Sequence, residues 1–459
     1  MSVTMASVRQ VIERWSRDQV LSLAPDLPSQ KAAQSVARPG KWPVTGVCAE
    51  THVVWGECQG SGAKPYLACV DLSEPAYRCN CPSRKFPCKH ALGLLLHWSA
   101  GGVPDGGEMP PWTREWLDGR RERQAKAAAQ AAVTTDTTTG TEADTDAGRQ
   151  EAAARRAEQR EQRVTTGLLE LERWLTDQVR QGVAGTRAGG HAHWDDVAKR
   201  LFDAQAPGMA GAVARLGGTL AEDDWPSRLL GEYALLYLLA AAHRGQSALP
   251  GDLAASVRSR VGFTVTREEV LAGETVRDHW DVLGRRDEEQ DRLTARRVWL
   301  RGRGTGRSAL VLSFAPIGQP LDASLVTGAT VDADLAFYPG ASPLRALVAA
   351  RHAPPYTEGP PAGVTMAEAL TAVSDALAGD PWLESWPLVL SGVVPARDRG
   401  WLLADAATGE GLPLHRRTGA PWTLIAVSGG HPVTVAAEWT PRGLVPLTTW
   451  DDDGRVVLL

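Results

Sequence analysis

The stretch Cys79-Asn80-Cys81-Pro82-Ser83-Arg84-Lys85-Phe86-Pro87-Cys88-Lys89-His90 brings three thiols and one imidazole together in the pattern C-x-C, six residues, C-x-H. Three soft thiolates and an imidazole are a donor set for tetrahedral Zn2+, with Zn–S about 2.3 Å and Zn–N about 2.0 Å. Four protein donors leave no open position for a reacting water. The spacing therefore predicts one structural zinc ion on Cys79, Cys81, Cys88 and His90, with no catalytic residue there. A Cys79–Cys81 disulfide would be strained, and a chance cluster of buried thiols does not explain His90 in step with Cys88. Pro82 and Pro87 stiffen the loop and place His90 on the first turn of a following helix.

Cations crowd this loop. Arg78, Arg84, Lys85 and Lys89 surround the four donors, and Tyr77 and Phe86 are interleaved with them. Aromatics among cations are the pattern of a single-strand stacking surface, so the patch is a candidate nucleic-acid contact. The same cations could instead balance the net −1 charge of Zn2+ with three thiolates. Cys48, Cys58 and Cys69 have no partner at ligand spacing. They read as inert buried thiols, with a second metal site as the alternative. His191, His193, Asp195 and Asp196 read as a surface helix start. Asp332 and Asp334 share one face of a strand and read as a solvated β edge. The glycine-rich Gly302–Gly306 lies between two strands, and phosphate loops precede a helix, so it is not read as one.

Helix and strand periods place these residues. Val8, Ile12, Trp15 and Val20 predict a helix over 6–23, stopped by Pro25 and Pro28. His52–Cys58 and Pro65–Leu72 read as strands about the turn 59–64, Tyr77–Cys81 as a third strand, and Lys89–Trp98 as a helix. Trp112, Trp116 and Leu117 predict a short helix packing back on this module. Residues 127–148 hold no large apolar side chain after Val133 and read as a flexible linker. Apolar stripes predict three helices: one through Leu168, Leu171, Leu175 and Val179, one through Trp194, Val197, Leu201 and Phe202, and one through Leu229, Tyr233, Leu236 and Tyr237. Strands are expected from about 294, at 297–300, 308–314, 331–338, 387–394, 423–428, 432–438 and 444–450. A helix at 365–378 interrupts them, and Asp451–Gly454 reads as a turn.

The C-x-C, C-x-H pattern behind WGECQGSGAKPYLACVDL and ahead of CKHALGLLLHW resembles the SWIM zinc finger, over residues of about 30–100. The resemblance implies the same four ligands, and nucleic-acid or protein–protein contact, in a bacterial SWIM-domain protein. Such proteins sit beside ATPase machinery. This chain has no G-x-x-x-x-G-K-[ST], so any motor would act in trans.

The 459 residues suggest several domains, and 43% hydrophobic with 22% charged residues is a globular composition. A net charge of −5 excludes a polycation, so any nucleic-acid contact must be a local patch. The longest apolar run, Ala234–Ala242, is far short of the roughly 20 residues of a membrane span. The charged N-terminus does not read as a secretion signal. All six thiols lie within the first 88 residues, which points to a reducing compartment and a cytoplasmic protein. The expected architecture is α+β and multidomain. It has a small β-hairpin/helix zinc module (1–126), a linker (127–148), a helical middle region (149–290) and a β-rich C-terminal domain (291–459). The leading expectation is a non-enzymatic zinc protein that contacts nucleic acid as an accessory subunit. The alternative is a protein-interaction scaffold with a purely structural zinc, and an enzyme site in residues 160–459 is the third.

Overall fold

The computed structural model describes residues 14–459 except 61, 63, 74, 84, 134–142, 191, 291–292, 318 and 320. The first unit begins with two short helices, α1 (Arg17–Ser22) and α2 (Leu27–Val36). Ser16 and Gln19 form a capping box on α1, and Asp26 caps α2 through Ser29 N. The sequence reading ended one helix at Pro25 and Pro28. Pro28 instead sits in the first turn of α2, where its missing N–H costs nothing. Residues 6–13 of the expected helix lie outside the described residues.

Four strands follow as an antiparallel meander: β1 (Val44–Cys48), β2 (Val53–Cys58), β3 (Tyr66–Asp71) and β4 (Ala76–Cys79). Helix α3 (Lys89–Ser99) closes one face with Leu92, Leu94, Leu95 and Trp98. The opposite face is closed by α4 (Pro111–Val133). There Trp112, Trp116 and Leu117 pack with Val53, Trp55, Cys69 and Met109. Both sheet faces are thus covered, which is why β3 is buried on successive residues instead of alternately.

The expected linker is a correction at its ends. Residues up to Val133 belong to α4, and α5 (Ala143–Gln181) begins inside the segment. The expectation weighed burial, but alanine-rich sequence has high helix propensity without a core to join. Residues 134–142 lie outside the described ones.

The middle region is a helical bundle of α5, the single turn α6 (Thr186–Gly189), α7 (Ala192–Asp203), α8 (Pro207–Arg215), α9 (Trp225–Arg244) and α10 (Gly251–Val261); the short α11 (Arg267–Leu271) that follows packs Val270 on Ala336 and Leu347 of the strands beyond it. Val164, Leu168, Leu171 and Leu175 of α5 face Trp194, Val197 and Leu201 of α7 and Leu229, Tyr233 and Leu236 of α9. Val179, Phe202 and Tyr237, expected on the stripes, are exposed at their margins.

Strands begin earlier than 291. Residues 275–290 form β5 (Thr275–Gln290), so the expected helical region to 290 ends near Leu271. Its charged residues hide the strand pattern, and pairing on both sides reveals it. The first half of β5 pairs with β8 (Thr330–Phe337) and the second half with β6 (Leu293–Gly302). With β7 (Ser308–Pro316) and β9 (Arg345–Arg351) they close a barrel in the order β5-β6-β7-β9-β8, and β7 and β9 are its one parallel pair. This is the connectivity of an OB-fold. The glycine-rich turn Gly302–Gly306 wraps the Asp278 carboxylate, which accepts from Gly304 N and Thr305 N at 2.9 and 2.7 Å.

Six further strands form an open sheet in the order β12-β11-β10-β13-β14-β15: β10 (Trp386–Arg397), β11 (Trp401–Asp405), β12 (Gly411–Pro413), β13 (Val433–Thr440), β14 (Gly443–Trp450) and β15 (Val456–Leu458). Helices α12 (Met366–Gly379) and α13 (Trp422–Ser428) pack on it. Residues 423–428, expected as a strand, are α13. They follow Pro421 and end at Gly429, whose φ of +54° makes a left-handed stop that only the three-dimensional setting reveals. The sheet covers the outer face of β6 and β7: Trp299, Leu310 and Leu312 pack against Val389, Ala436 and Leu447. Contact is close. A Cβ on Gly284 of β5 would lie 2.6 Å from Leu447 Cβ. Beside it, buried Glu438 of β13 pairs with Arg286 at 3.1 Å and Arg297 at 3.2 Å.

Candidate metal centre

The end of β4 and the start of α3 build the site. Cys79 is the last residue of β4, opposite Ala68 of β3. Asn80 prolongs the ladder, donating its N–H to Leu67 O and accepting from Leu67 N on its side-chain oxygen at 2.9 Å. That fixes the backbone between Cys79 and Cys81. The chain then loops out and returns at Cys88, the N-cap residue of α3, which puts His90 on the first turn. The His90 ring stacks on Tyr66 of β3 with centroids 4.4 Å apart.

Donor atoms of Cys79, Cys81, Cys88 and His90 all lie within 4.8 Å of one another, and among the described residues this is the one such group. Cys79 Sγ is 3.8 Å from His90 Nδ1. A tetrahedron with Zn–S of about 2.3 Å has edges of about 3.8 Å, so the donors are spaced for one small cation. Cys88 and His90 are buried, and Cys79 and Cys81 half-buried.

The protonation of the thiols points the same way. A hydrogen bond from the Cys79 thiol holds Cys88 below the ordinary thiol range, and the same contact pushes Cys79 far above it. Burial raises Cys81. Three thiolates this close repel one another, and a dication at their centre removes the conflict. Backbone N–H groups of Cys81, Ser83 and Ala91 point at the sulfurs of Cys79, Cys81 and Cys88 and would support that charge. The residues present therefore form a Cys3His set able to hold a metal ion.

The basic patch is only partly arranged as a stacking surface. Arg78 is exposed and donates to Trp112 O at 3.3 Å, and Lys89 is exposed on the first turn of α3. Lys85 pairs with Asp26 at 2.6 Å, joining the loop to the cap of α2. Arg84 lies outside the described residues. Tyr77 corrects the expectation: it is 6% exposed and cannot receive a base, because its side chain is buried beside the barrel. Only Phe86, 37% exposed, has a reachable ring.

The remaining cysteines are free thiols apart from the cluster. Cys69 is buried on the α4 side of the sheet, where burial pushes its thiol up to about 12. Burial also raises Cys58. His193 meets Gln178 at 2.9 Å, and His191 lies outside the described residues. Asp332 and Asp334 are not on a solvated edge. Strand β8 lies between β5 and β9, Arg277 grips Asp332 through two nitrogens, and His352 pairs with Asp334 at 2.9 Å. A groove of about 460 Å³ along α9 is floored by Gly231, Ala234, Leu235 and Leu238. Its two arginines, Arg228 and Arg442, both rest on Glu222. Among the described residues no helix is long and apolar enough to cross a membrane.

Compared with known protein families, residues 69–99 match the SWIM zinc finger and residues 159–261 match the SWIM-associated four-helix bundle domain. No curated protein and no solved structure matches the chain. A SWIM zinc-finger domain is therefore present. It is followed by its associated helical bundle and a β-rich C-terminal region. SWIM domains are non-catalytic modules for zinc binding and scaffolding.

Proposed function

We propose that the chain is a non-enzymatic scaffold in which Cys79, Cys81, Cys88 and His90 bind one structural zinc ion and the finger serves protein docking. The observation that carries this reading is how the chain uses its own binding surfaces. In an OB-fold the face of the second and third strands receives ligands. Here that face, on β6 and β7, is covered by the C-terminal sheet at Trp299, Leu310 and Leu312, and Phe314 at its end stays exposed. The finger is used in the same way, with Tyr77 and Cys88 in one apolar core with Ala323, Val326 and Ala329 of the β7–β8 connection. Zinc would hold the loop between β4 and α3, which has few apolar contacts of its own. The free thiols suit a reducing, cytoplasmic setting. Partners of the ATPase type would have to act in trans.

Nucleic-acid contact through Arg78, Arg84, Lys85 and Lys89 is the second reading, favoured by the exposure of Arg78 and Lys89 beside the site. Metal content of the full chain, with titration of labelled single-stranded and duplex DNA at two salt concentrations, separates the two. One zinc per chain without salt-sensitive DNA binding supports the scaffold. Micromolar binding that falls steeply with salt and is lost in Lys85→Glu/Lys89→Glu replaces it with the nucleic-acid reading. A chain without zinc refutes both.

A further inference from the structure

One apolar cluster runs from the metal centre into the barrel. Cys88 and Tyr77 of the finger share it with Ala323, Val326 and Ala329, and Val326 is fully buried. Tyr77 lies in this cluster with Asp322, at the start of the 322–329 segment, close by. It lies two residues before Cys79 in β4, opposite Val70. On one side it takes the Phe86 ring edge-on, with centroids 5.6 Å apart, and Phe86 belongs to the loop between Cys81 and Cys88. On the other side are Arg285 and Arg296 of the barrel. Arg285 in turn donates to Ala24 O at 3.4 Å, tying β5 to the connection between α1 and α2. Helix α1 also contacts β15.

This interface holds opposing terms. Apolar contacts of Val326, Ala329 and Tyr77 favour docking. Against them, the Tyr77 hydroxyl is buried with no hydrogen-bond partner among the described residues. It would regain hydration if the surfaces parted. An interface balanced in this way can be shifted by a modest change at one end.

We propose that metal binding at the finger governs its docking on the barrel: the bound ion fixes the 80–88 loop, the loop holds Phe86 on Tyr77, and Tyr77 seats on the 322–329 segment. The proposal rests on the zinc reading above and adds an interdomain consequence to it. Without the ion, the loop loses its anchor points, Phe86 leaves Tyr77, and the unpaired hydroxyl drives Tyr77 toward water. Coupling of this kind is reciprocal, so loosening the barrel side must weaken metal binding by the same factor.

Hydrogen exchange on the full chain, with zinc and after chelation, tests the first half. Removal of zinc should speed exchange of peptides covering 322–329 at least tenfold and leave β10 and β13 unchanged. Phe86→Ala, at a half-exposed ring outside the donor set, should speed the same peptides while one zinc per chain is retained. Zinc affinity, read by competition with a chromophoric chelator, tests the second half: Val326→Ala should weaken it about fivefold or more. If the chain takes up no zinc, the zinc reading fails and the coupling with it. If zinc binds, but its removal and Phe86→Ala leave 322–329 unchanged and Val326→Ala binds with the original affinity, the coupling alone is overturned.

Discussion

Zinc linkage offers the most direct measurement on this chain. A single site that binds only the folded state stabilises it by about 1.4 kcal/mol for each tenfold rise in free zinc above Kd. The melting shift this produces depends on how much of the chain unfolds with the site. The first unit, residues 14–122, would melt alone with an unfolding entropy of about 0.23 kcal/mol/K, and its Tm should rise by about 6 °C per decade of zinc. If unit and barrel melt as one body comprising the whole chain, the entropy is roughly four times larger and the shift falls to about 1.5 °C. The structure favours coupled melting, because the core that holds Cys88 also holds Val326 and Ala329. Calorimetry in zinc buffers spanning three decades gives the slope, and Cys81→Ser should abolish it over the same range. A flat wild-type response would refute zinc binding. A response unchanged by Cys81→Ser would refute the assignment of that ligand. A stability slope near 2.8 kcal/mol per decade would mean a second ion, and would return Cys48, Cys58 and Cys69 to consideration.

Four further outcomes follow from other parts of the fold. Gly284→Ala should cost about 1–3 kcal/mol by urea denaturation, because the new methyl meets Leu447 at 2.6 Å; a cost below the error of measurement would mean that barrel and sheet are not pressed together there. Glu438→Ala leaves Arg286 and Arg297 without their shared carboxylate and should cost about 3–5 kcal/mol, and a neutral effect would show the pair to be hydrated. Burial holds His243 below its ordinary pKa in the fold. The unfolded chain, with a value of about 6.5, takes the proton first as pH falls, so the stability this group permits is present above that pH and lost below it. Urea midpoints from pH 7.5 to 5.5 should therefore decline, and less steeply in His243→Gln; an unaltered slope would clear this residue of any part in it. Lys85 and Ser29 hold Asp26 down to about 2, so its contribution is complete above the unfolded value and fades as pH drops toward 2. Asp26→Ala should cost about 1 kcal/mol as a lost helix cap, measured at pH 7, with no effect at all counting against the cap.

The metal-site donors were legible in the sequence because local chain geometry alone brings them together. A strand end, a short loop and a helix start put Cys79, Cys81, Cys88 and His90 within reach without help from distant residues. Apolar periodicity likewise marked α3, α12 and the stripes of α5, α7 and α9, since each buries one face at the helical period. Where the partners of an element lie far along the chain, the pattern failed. The sequence reading ran the helical region to 290 and missed β5, whose Arg286 and Asp287 meet Glu438 and Arg296 only in three dimensions, and residues 423–428 read as extended but form α13 against the sheet. Tyr77 is the plainest case. Its neighbours in sequence are cations of the finger, which suggested a stacking surface, but residues more than two hundred positions away bury it. The four-donor set was thus a property of twelve consecutive residues. The burial of Tyr77 beside that set, and the covering of Trp299, Leu310 and Leu312 on β6 and β7, were decided by long-range packing, which carries no signature in the local order of residues.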